Sequence, residues 1–203
     1  MIVCIAGKND IAVEILLYLL DYGIDRKNIC IISNRTDDGK DNWQRSLLKK
    51  ASELNIKITT LEEVYQIENL LFLSLEFDRI VNPNKFKTDK LFNIHFSLLS
   101  KYKGMFTSIL PILNNEKTTG VTFHKIDKGI DTGNIISQKE FEIDFMDNSR
   151  DIYHKYIKNG ISLVKECLNK ILQNQFFEEK EQDLYNSTYF SKQSIDFKNI
   201  QID

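Results

Sequence analysis

The N-terminal stretch fixes the kind of sheet this chain can build. Met1–Ala6 is a continuous apolar run, the pattern of a strand buried on both faces, and Asp10–Leu20 then repeats apolar residues at helical spacing. Asn28–Ser33 (NICIIS) is a second buried strand. Strand, helix and strand in this order predict the opening of a Rossmann-like, doubly wound, mostly parallel α/β sheet. The first turn reads AGKND, with one glycine where a dinucleotide site needs G-x-G-x-x-G, so a nicotinamide cofactor is disfavoured while the topology survives. Lys8 and Asn9 still lie at the carboxyl end of a strand and the start of a helix, where open parallel sheets bind ligands. The plainer alternative is a solvated lysine and a helix cap.

Farther along, Asp41 with Gln44 resembles a capping box and predicts a helix through Ala51–Leu54. Strands are expected at Ile56–Ile58, Leu70–Leu75, Phe92–Ile94, Gly120–Ile126 and Asn134–Phe141. With Ser149 as N-cap, Ile152, Tyr156, Ile161, Val164, Cys167, Leu168 and Ile171 form one apolar stripe of a long helix. The sequence turns polar after Leu172, with an acidic stretch at Glu178–Asp183, and regains aromatic and apolar residues over Tyr189–Asp203, which are expected to pack on the rest. A chain of 203 residues, 42% hydrophobic, with 2 prolines and no low-complexity linker suits one main domain, taken as residues 1–180 with a tail at 181–203.

Charge narrows the partners. With 27 Lys and Arg against 29 Asp and Glu, no global field favours nucleic acid or an anionic membrane. The N-terminus lacks a charged leader and cleavage site, and no later run approaches membrane-spanning length. Cys4, Cys30 and Cys167 are widely spaced, with no C-x-x-C pair. A cytoplasmic protein with no metal ligand cluster is the expectation.

The segment FNIHFSLLSKYKG, Phe92–Gly104, starts as a buried strand yet carries an amide and an imidazole. Alternation puts Asn93 and His95 on one face and Ile94 on the other. Downstream, KGIDTG sets Asp131 between Gly129 and Gly133, whose freedom permits a tight loop thrusting a carboxylate towards that histidine. Asn-x-His alone is commonly ordinary strand-end polarity; with the S-L-L, K-Y-K-G, G-V-T and G-I-D-T-G segments the pattern is far more specific.

Taken together, Phe92–Gln138 resembles the core of formyltransferases that use N10-formyltetrahydrofolate, and AGKND, NRTDDGKDNWQRSL, SLEFDRI and YFSKQSIDF resemble the branch acting on dTDP-linked 4-amino-4,6-dideoxy sugars. The resemblance implies the formyltransferase fold, N10-formyltetrahydrofolate as co-substrate, and Asn93, His95 and Asp131 as the catalytic Asn, His and Asp. In that chemistry a neutral sugar amine attacks the formyl carbon and an oxyanion develops. Asn93 and His95 can donate hydrogen bonds to that oxygen, a stabilisation of about 3 kcal/mol per donor where measured. An unperturbed histidine titrates near pH ~6.5, which suits His95 to moving the proton lost by the amine, with Asp131 orienting the ring or ordering a water.

By the same resemblance the pterin lies between Leu75–Arg79, including Phe77 and Asp78, and Ile126–Asp131, including Asp127. For the nucleotide, Asn34–Arg45 offers helix-start amides with Lys40 and Arg45 for a pyrophosphate, and Trp43 for a base or sugar. The bland alternative there is a solvated helix start. Tyr102, Lys103, Met105, Phe106 and Thr107 are expected to line the amino-sugar pocket. His124 is read as a satisfied structural histidine and His154 as solvated beside Lys158 and Lys165. Ser100 stands where the family usually has proline, and Asn134 where it commonly has aspartate. Relatives usually continue past the I-D-F segment with a piece that commonly helps form a dimer, so both a shortened form and a homodimer are left open here. A formyltetrahydrofolate hydrolase and a catalytically impaired nucleotide-sugar-binding protein are the competing readings. A surface polysaccharide is the destination implied by family alone.

Overall fold

The computed structural model describes residues 1–195. The first half alternates as expected: β1 (Ile2–Gly7), α1 (Asn9–Asp21), β2 (Ile29–Ser33), α2 (Leu47–Glu53), β3 (Lys57–Ile58), α3 (Leu61–Val64) and β4 (Leu70–Leu75). There follow β5 (Leu91–His95), β6 (Lys103–Gly104), α4 (Leu110–Leu113), β7 (Thr118–Lys125), β8 (Ile135–Glu142), α5 (Ser149–Leu172) and β9 (Tyr189–Phe190). Seven strands make one sheet in the order β3-β2-β1-β4-β5-β7-β8. Strands β3 to β5 run parallel, and β7 and β8 are added antiparallel. Sequence order is broken between β1 and β4, the kind of switch point at which doubly wound sheets open a crevice for ligands.

The apolar runs predict burial on both sides, and two cores result. On one face Val3, Ile5, Ile31, Leu71, Leu73 and Ile94 pack under α1, α2 and α5. On the other, Cys4, Ala6, Ile32, Phe72 and Leu91 pack with Leu61, Val64 and Phe86. Asn93 and His95 alternate with Ile94 and so lie on this second side. α5 is locked to the sheet by Tyr156, fully buried, whose ring stacks on Phe96 at 5.2 Å and whose hydroxyl shares a 2.6 Å hydrogen bond with Thr119.

Two caps differ from expectation. α2 starts at Leu47, capped by Ser46, whose hydroxyl accepts from the Lys49 N–H. Asp41 instead receives the Ser46 N–H, and Gln44 accepts from the Asp10 N–H, so these residues brace the loop before the helix. α5 is capped by Asn148, not Ser149: its side chain accepts from Asp151 N while Asp151 accepts from Asn148 N, a reciprocal capping box. The Asx side chain one residue earlier wins because its carbonyl spans the turn.

β8 is an outer strand of the sheet. Among the described residues, strand-like pairing on its open side is confined to its first residue, where Ile135 and Lys180 exchange backbone hydrogen bonds of 2.7 and 2.9 Å. Past this bridge, Tyr189–Phe190 of the expected tail pairs with β6; residues 196–203 of that tail lie outside the described residues. Among the described residues no helix is long and apolar enough to cross a membrane.

Asn148→Ala should lower the unfolding free energy by about 1 kcal/mol, whereas Ser149→Ala should be nearly neutral. Urea denaturation checks both, and the reverse ranking would return the cap to Ser149.

Candidate active site

The antiparallel join of β5 to β7 builds the centre. Its register sets Asn93 opposite His124 and His95 opposite Thr122, so two residues of each strand share the ligand-side face. The loop after β7 then brings Asp131 back over them. That loop is tight because a Cβ at Gly133 would stand 2.0 Å from the Lys125 carbonyl oxygen, and Asp131 itself holds a left-handed φ of 54°. The Asp127 carboxylate closes the turn by accepting from Gly129 N and the Thr132 hydroxyl.

Asp131 is the hub of this centre. Its Oδ2 lies 3.4 Å from His95 Nδ1 and accepts from the Gly104 N–H at 3.0 Å, while Oδ1 accepts from Asn93 Nδ2 at 3.3 Å and lies 3.7 Å from His124 Nε2. Burial alone would raise its pKa, but the neighbouring His95 and His124 rings and the Gly104 N–H hold it well below the ordinary carboxylate range. His95 Nε2 lies 2.7 Å from the Tyr102 carbonyl oxygen, which has no proton to give, so this nitrogen donates.

His124 is the satisfied, buried histidine expected, and its partners place it in the cluster. Its Nδ1 donates to the Lys125 carbonyl at 2.7 Å, which leaves Nε2 to accept from Asn93 Nδ2 at 3.0 Å. The ring is 2% exposed and sits inside the Asn–His–Asp cluster. The signal for it was present: a histidine on the strand neighbouring N-x-H, at a position the register brings opposite the asparagine. Both Asn93 amide protons therefore have protein acceptors, so an incoming oxygen must compete with His124 or Asp131 for one of them.

The residues expected around the folate divide. Phe77 lies under the Arg79 guanidinium at 4.6 Å, and Phe77 and Ile126 pack on the second core. Asp78 accepts from Arg35 N, and Arg79 Nη2 donates to the Ser33 carbonyl. Leu75 does not face a ligand: its side chain is fully buried and its carbonyl accepts from Lys8 N. Asn34, expected at the nucleotide, is 2% exposed, and its amide is spent on Glu76 O and Asp78 N, holding the 76–78 loop. Sequence could not separate these uses, because a buried polar clamp and a ligand contact demand the same residue type.

On the nucleotide side, Lys8, Lys40, Trp43 and Gln44 line a cavity of about 180 Å³ beside Asn9. Trp43 is 55% exposed, with its ring 5.4 Å from Tyr153 and the Arg150 guanidinium 5.5 Å from its centroid. The exposed His154 meets the same indole edge-on, more than the solvated residue expected. Gln44, buried, keeps a side-chain N–H₂ with no hydrogen-bond partner among the described residues. Arg45 is otherwise engaged: its guanidinium is paired with both Asp10 and Glu14 of α1, so it reaches the cavity already neutralised. Asn9, at φ 62°, donates to the Tyr153 hydroxyl at 2.8 Å, and that hydroxyl donates to the Glu76 carboxylate at 2.7 Å. Glu76 and Tyr153 were not foreseen, since nothing in SLEFDRI marks one acid as buried.

Of the residues expected around the amino sugar, Tyr102 and Lys103 are buried and Met105 is 44% exposed. The Tyr102 hydroxyl is held by Glu116 and Asn114, so the residue serves the site through its backbone carbonyl. The Thr107 carbonyl accepts from Tyr156, on the helix side of the sheet. The Leu99–Ser100 peptide, where the family usually has proline, is cis.

A family model described as formyl transferase matches residues 71–168. An N-formyltransferase from Helicobacter canadensis, solved with folinic acid and dTDP-3-aminofucose, is 51% identical and superposes with a TM-score of 0.96 over 100% of this chain and 75% of its own. WlaRD, a sugar 3N-formyl transferase solved with dTDP and 5-N-formyl-THF, is 52% identical with a TM-score of 0.94, covering 97% of this chain and 71% of its own. The bifunctional polymyxin resistance protein ArnA of Wigglesworthia glossinidia brevipalpis is 36% identical over 124 residues, covering 60% of this chain. The chain spans 19% of the length of that curated relative and 35% of a methionyl-tRNA formyltransferase from Borrelia duttonii. The chain belongs to the formyltransferase family. Within it, the likeness at 51–52% identity is to sugar N-formyltransferases.

Because Asp131 is ionised far below the unfolded carboxylate value of about 3.9, it favours the folded state above that pH, and its contribution is lost as acid approaches the folded pKa. Thermal midpoints measured from about pH 6 to about pH 2.5 should fall more steeply for the wild type than for Asp131→Asn. Parallel curves would show that the carboxylate is not held in its charged form.

Proposed function

We propose that this protein transfers the formyl group of N10-formyltetrahydrofolate to the amine of a dTDP-linked amino-dideoxy sugar. The observation that carries the proposal is the convergence of Asn93, His95 and Asp131 on one face, in a chain 51% identical to an N-formyltransferase solved with folinic acid and dTDP-3-aminofucose. The sequence pointed to a 4-amino sugar. The two relatives at 51–52% identity are described with a 3-amino sugar or as a 3N-formyl transferase, and on that ground we place the amine at C3.

The residues fit both substrates. A flat heterocycle with a polar edge suits Phe77 and Ile126 beside the backbone of the 127–133 loop. A nucleoside diphosphate suits the cavity at Lys8 and Lys40, where Gln44 keeps a buried donor unpaired. Trp43 offers a face to a base or sugar, and Arg45 orders the loop through α1 instead of binding phosphate.

The folate supplies an activated formyl carbon; the chain supplies charge and proton management around it. His95 sits with Nδ1 facing Asp131, whose carboxylate stays ionised and orients the ring. A positively charged ring also stabilises negative charge on a neighbouring oxygen, the electrostatic contribution of a preorganised site. Asn93, tethered by His124 and Asp131, presents its amide at the same place, and His124 is a positioning residue for that amide.

His95→Asn should lower kcat by about 10²–10⁴-fold while dTDP-sugar binding, read by calorimetry, stays near wild type. Wild-type protein should formylate dTDP-3-aminofucose in preference to its 4-amino counterpart. Reversed preference would move the amine to C4, formate release without an amine would favour a hydrolase, and binding without turnover would favour the impaired binding protein.

A further inference from the structure

We propose that Gln182 and Thr188, on the chain that returns after α5, are positioning residues that set the geometry of His95 and Asp131. The activity assay for this proposal rests on the formyl-transfer reading; the structural argument does not.

Both catalytic side chains are oriented by backbone in unusual conformations. His95 Nε2 is held by the carbonyl of Tyr102, at φ 57°, and the Asp131 carboxylate by the N–H of Gly104, at φ 86°. Asp131 has φ 54° as well. Glycine adopts such a conformation freely, but Tyr102 and Asp131 carry side chains, and theirs persist only where surrounding contacts over-determine them. The returning chain supplies those contacts at the same residues. The Thr188 hydroxyl accepts from the Tyr102 N–H at 2.8 Å, and the Thr188 backbone bonds both Ser100 and Lys103. The Phe190 carbonyl accepts from Met105 N, and its ring stacks on Tyr102 with centroids 5.7 Å apart. Gly104 passes so close to this strand that a Cβ there would meet the Phe190 carbonyl oxygen at 2.2 Å.

The second loop is gripped independently. Gln182 Nε2 donates to the carbonyls of both Asp131 and Gly133, at 2.9 and 2.8 Å, which ties together the two sides of the Asp131 turn. Between these grips Asp183 accepts from Tyr185 N and Asn186 Nδ2, so one local turn aims Gln182 at the aspartate loop and Thr188 at the tyrosine loop. Each loop is thus one hydrogen bond away from a catalytic group and one from the strap. The two grips are separate in sequence and use side-chain groups that a filler segment would not need.

Three variants of the intact protein test this. Thr188→Val keeps the side-chain shape and removes the acceptor; it should lower kcat by about tenfold to a hundredfold, with both KM values unchanged. Thr188→Ser should restore the rate, and Gln182→Leu should behave like Thr188→Val. In ¹⁵N-edited NMR, the hydrogen-bonded His95 Nε2–H resonance should be present in wild type and Thr188→Ser and shifted or lost in Thr188→Val. Wild-type kcat with an unchanged His95 resonance in Thr188→Val would overturn the proposal. So would equal losses in the Val and Ser variants that merely follow thermal stability. If the wild type transfers no formyl group, the functional reading fails, and the His95 resonance still decides the strap.

Discussion

A carboxylate taken out of water has to be surrounded by donors or it forces the structure to change. Asp131 meets that demand with His95, Asn93 and the Gly104 N–H, drawn from β5 and from β6. Those donors come together because β7 pairs with β5 antiparallel, in a register that also delivers His124 to the same face. A shift of one residue in that pairing would turn His124 to the opposite face of the sheet, taking away the acceptor that steadies Asn93. The parallel half of the sheet sets the crevice; the antiparallel half supplies its charges.

The nucleotide side follows a different logic. Its conspicuous cation, Arg45, is consumed by Asp10 and Glu14, and its conspicuous amide, Asn34, by the 76–78 loop. What remains turned to the cavity is less visible in a sequence: Lys8 at the helix start, Lys40, and a glutamine with an unspent donor. Tyr153 bridges the sides by contacting Trp43 while donating to Glu76 at the end of β4, where burial pushes the carboxyl pKa up against the hydrogen bonds of Tyr153 and Asn9.

How much of this was legible in the chain depended on whether the signal was periodic or positional. Buried strands such as NICIIS and the apolar stripe of α5 repeat a simple pattern, and they formed within a residue or two of expectation. Asn93 and His95 were legible because a polar pair on one face of an apolar strand has few cheap explanations. The caps at Ser46 and Asn148 were misplaced by local competition among several acceptors. Glu76 and Gln182 were invisible because their roles arise from pairing across long sequence distances, which no local window contains; His124 was visible as a histidine, but its place beside Asn93 depends on the β5–β7 register.

The bridge from Ile135 to Lys180 has a consequence for solubility. It seals the first residue of an outer strand, and among the described residues no further strand pairs along its remaining length. Along that length, however, Lys139, Glu140 and Glu142 stand among the side chains, with Lys139 Nζ held by Ser162 and Glu166 and the Glu142 carbonyl by Lys155 Nζ, and docking another strand there would strip water from these charges. The open flank of the sheet is thereby made a poor template for runaway stacking, without the fold having to cover it.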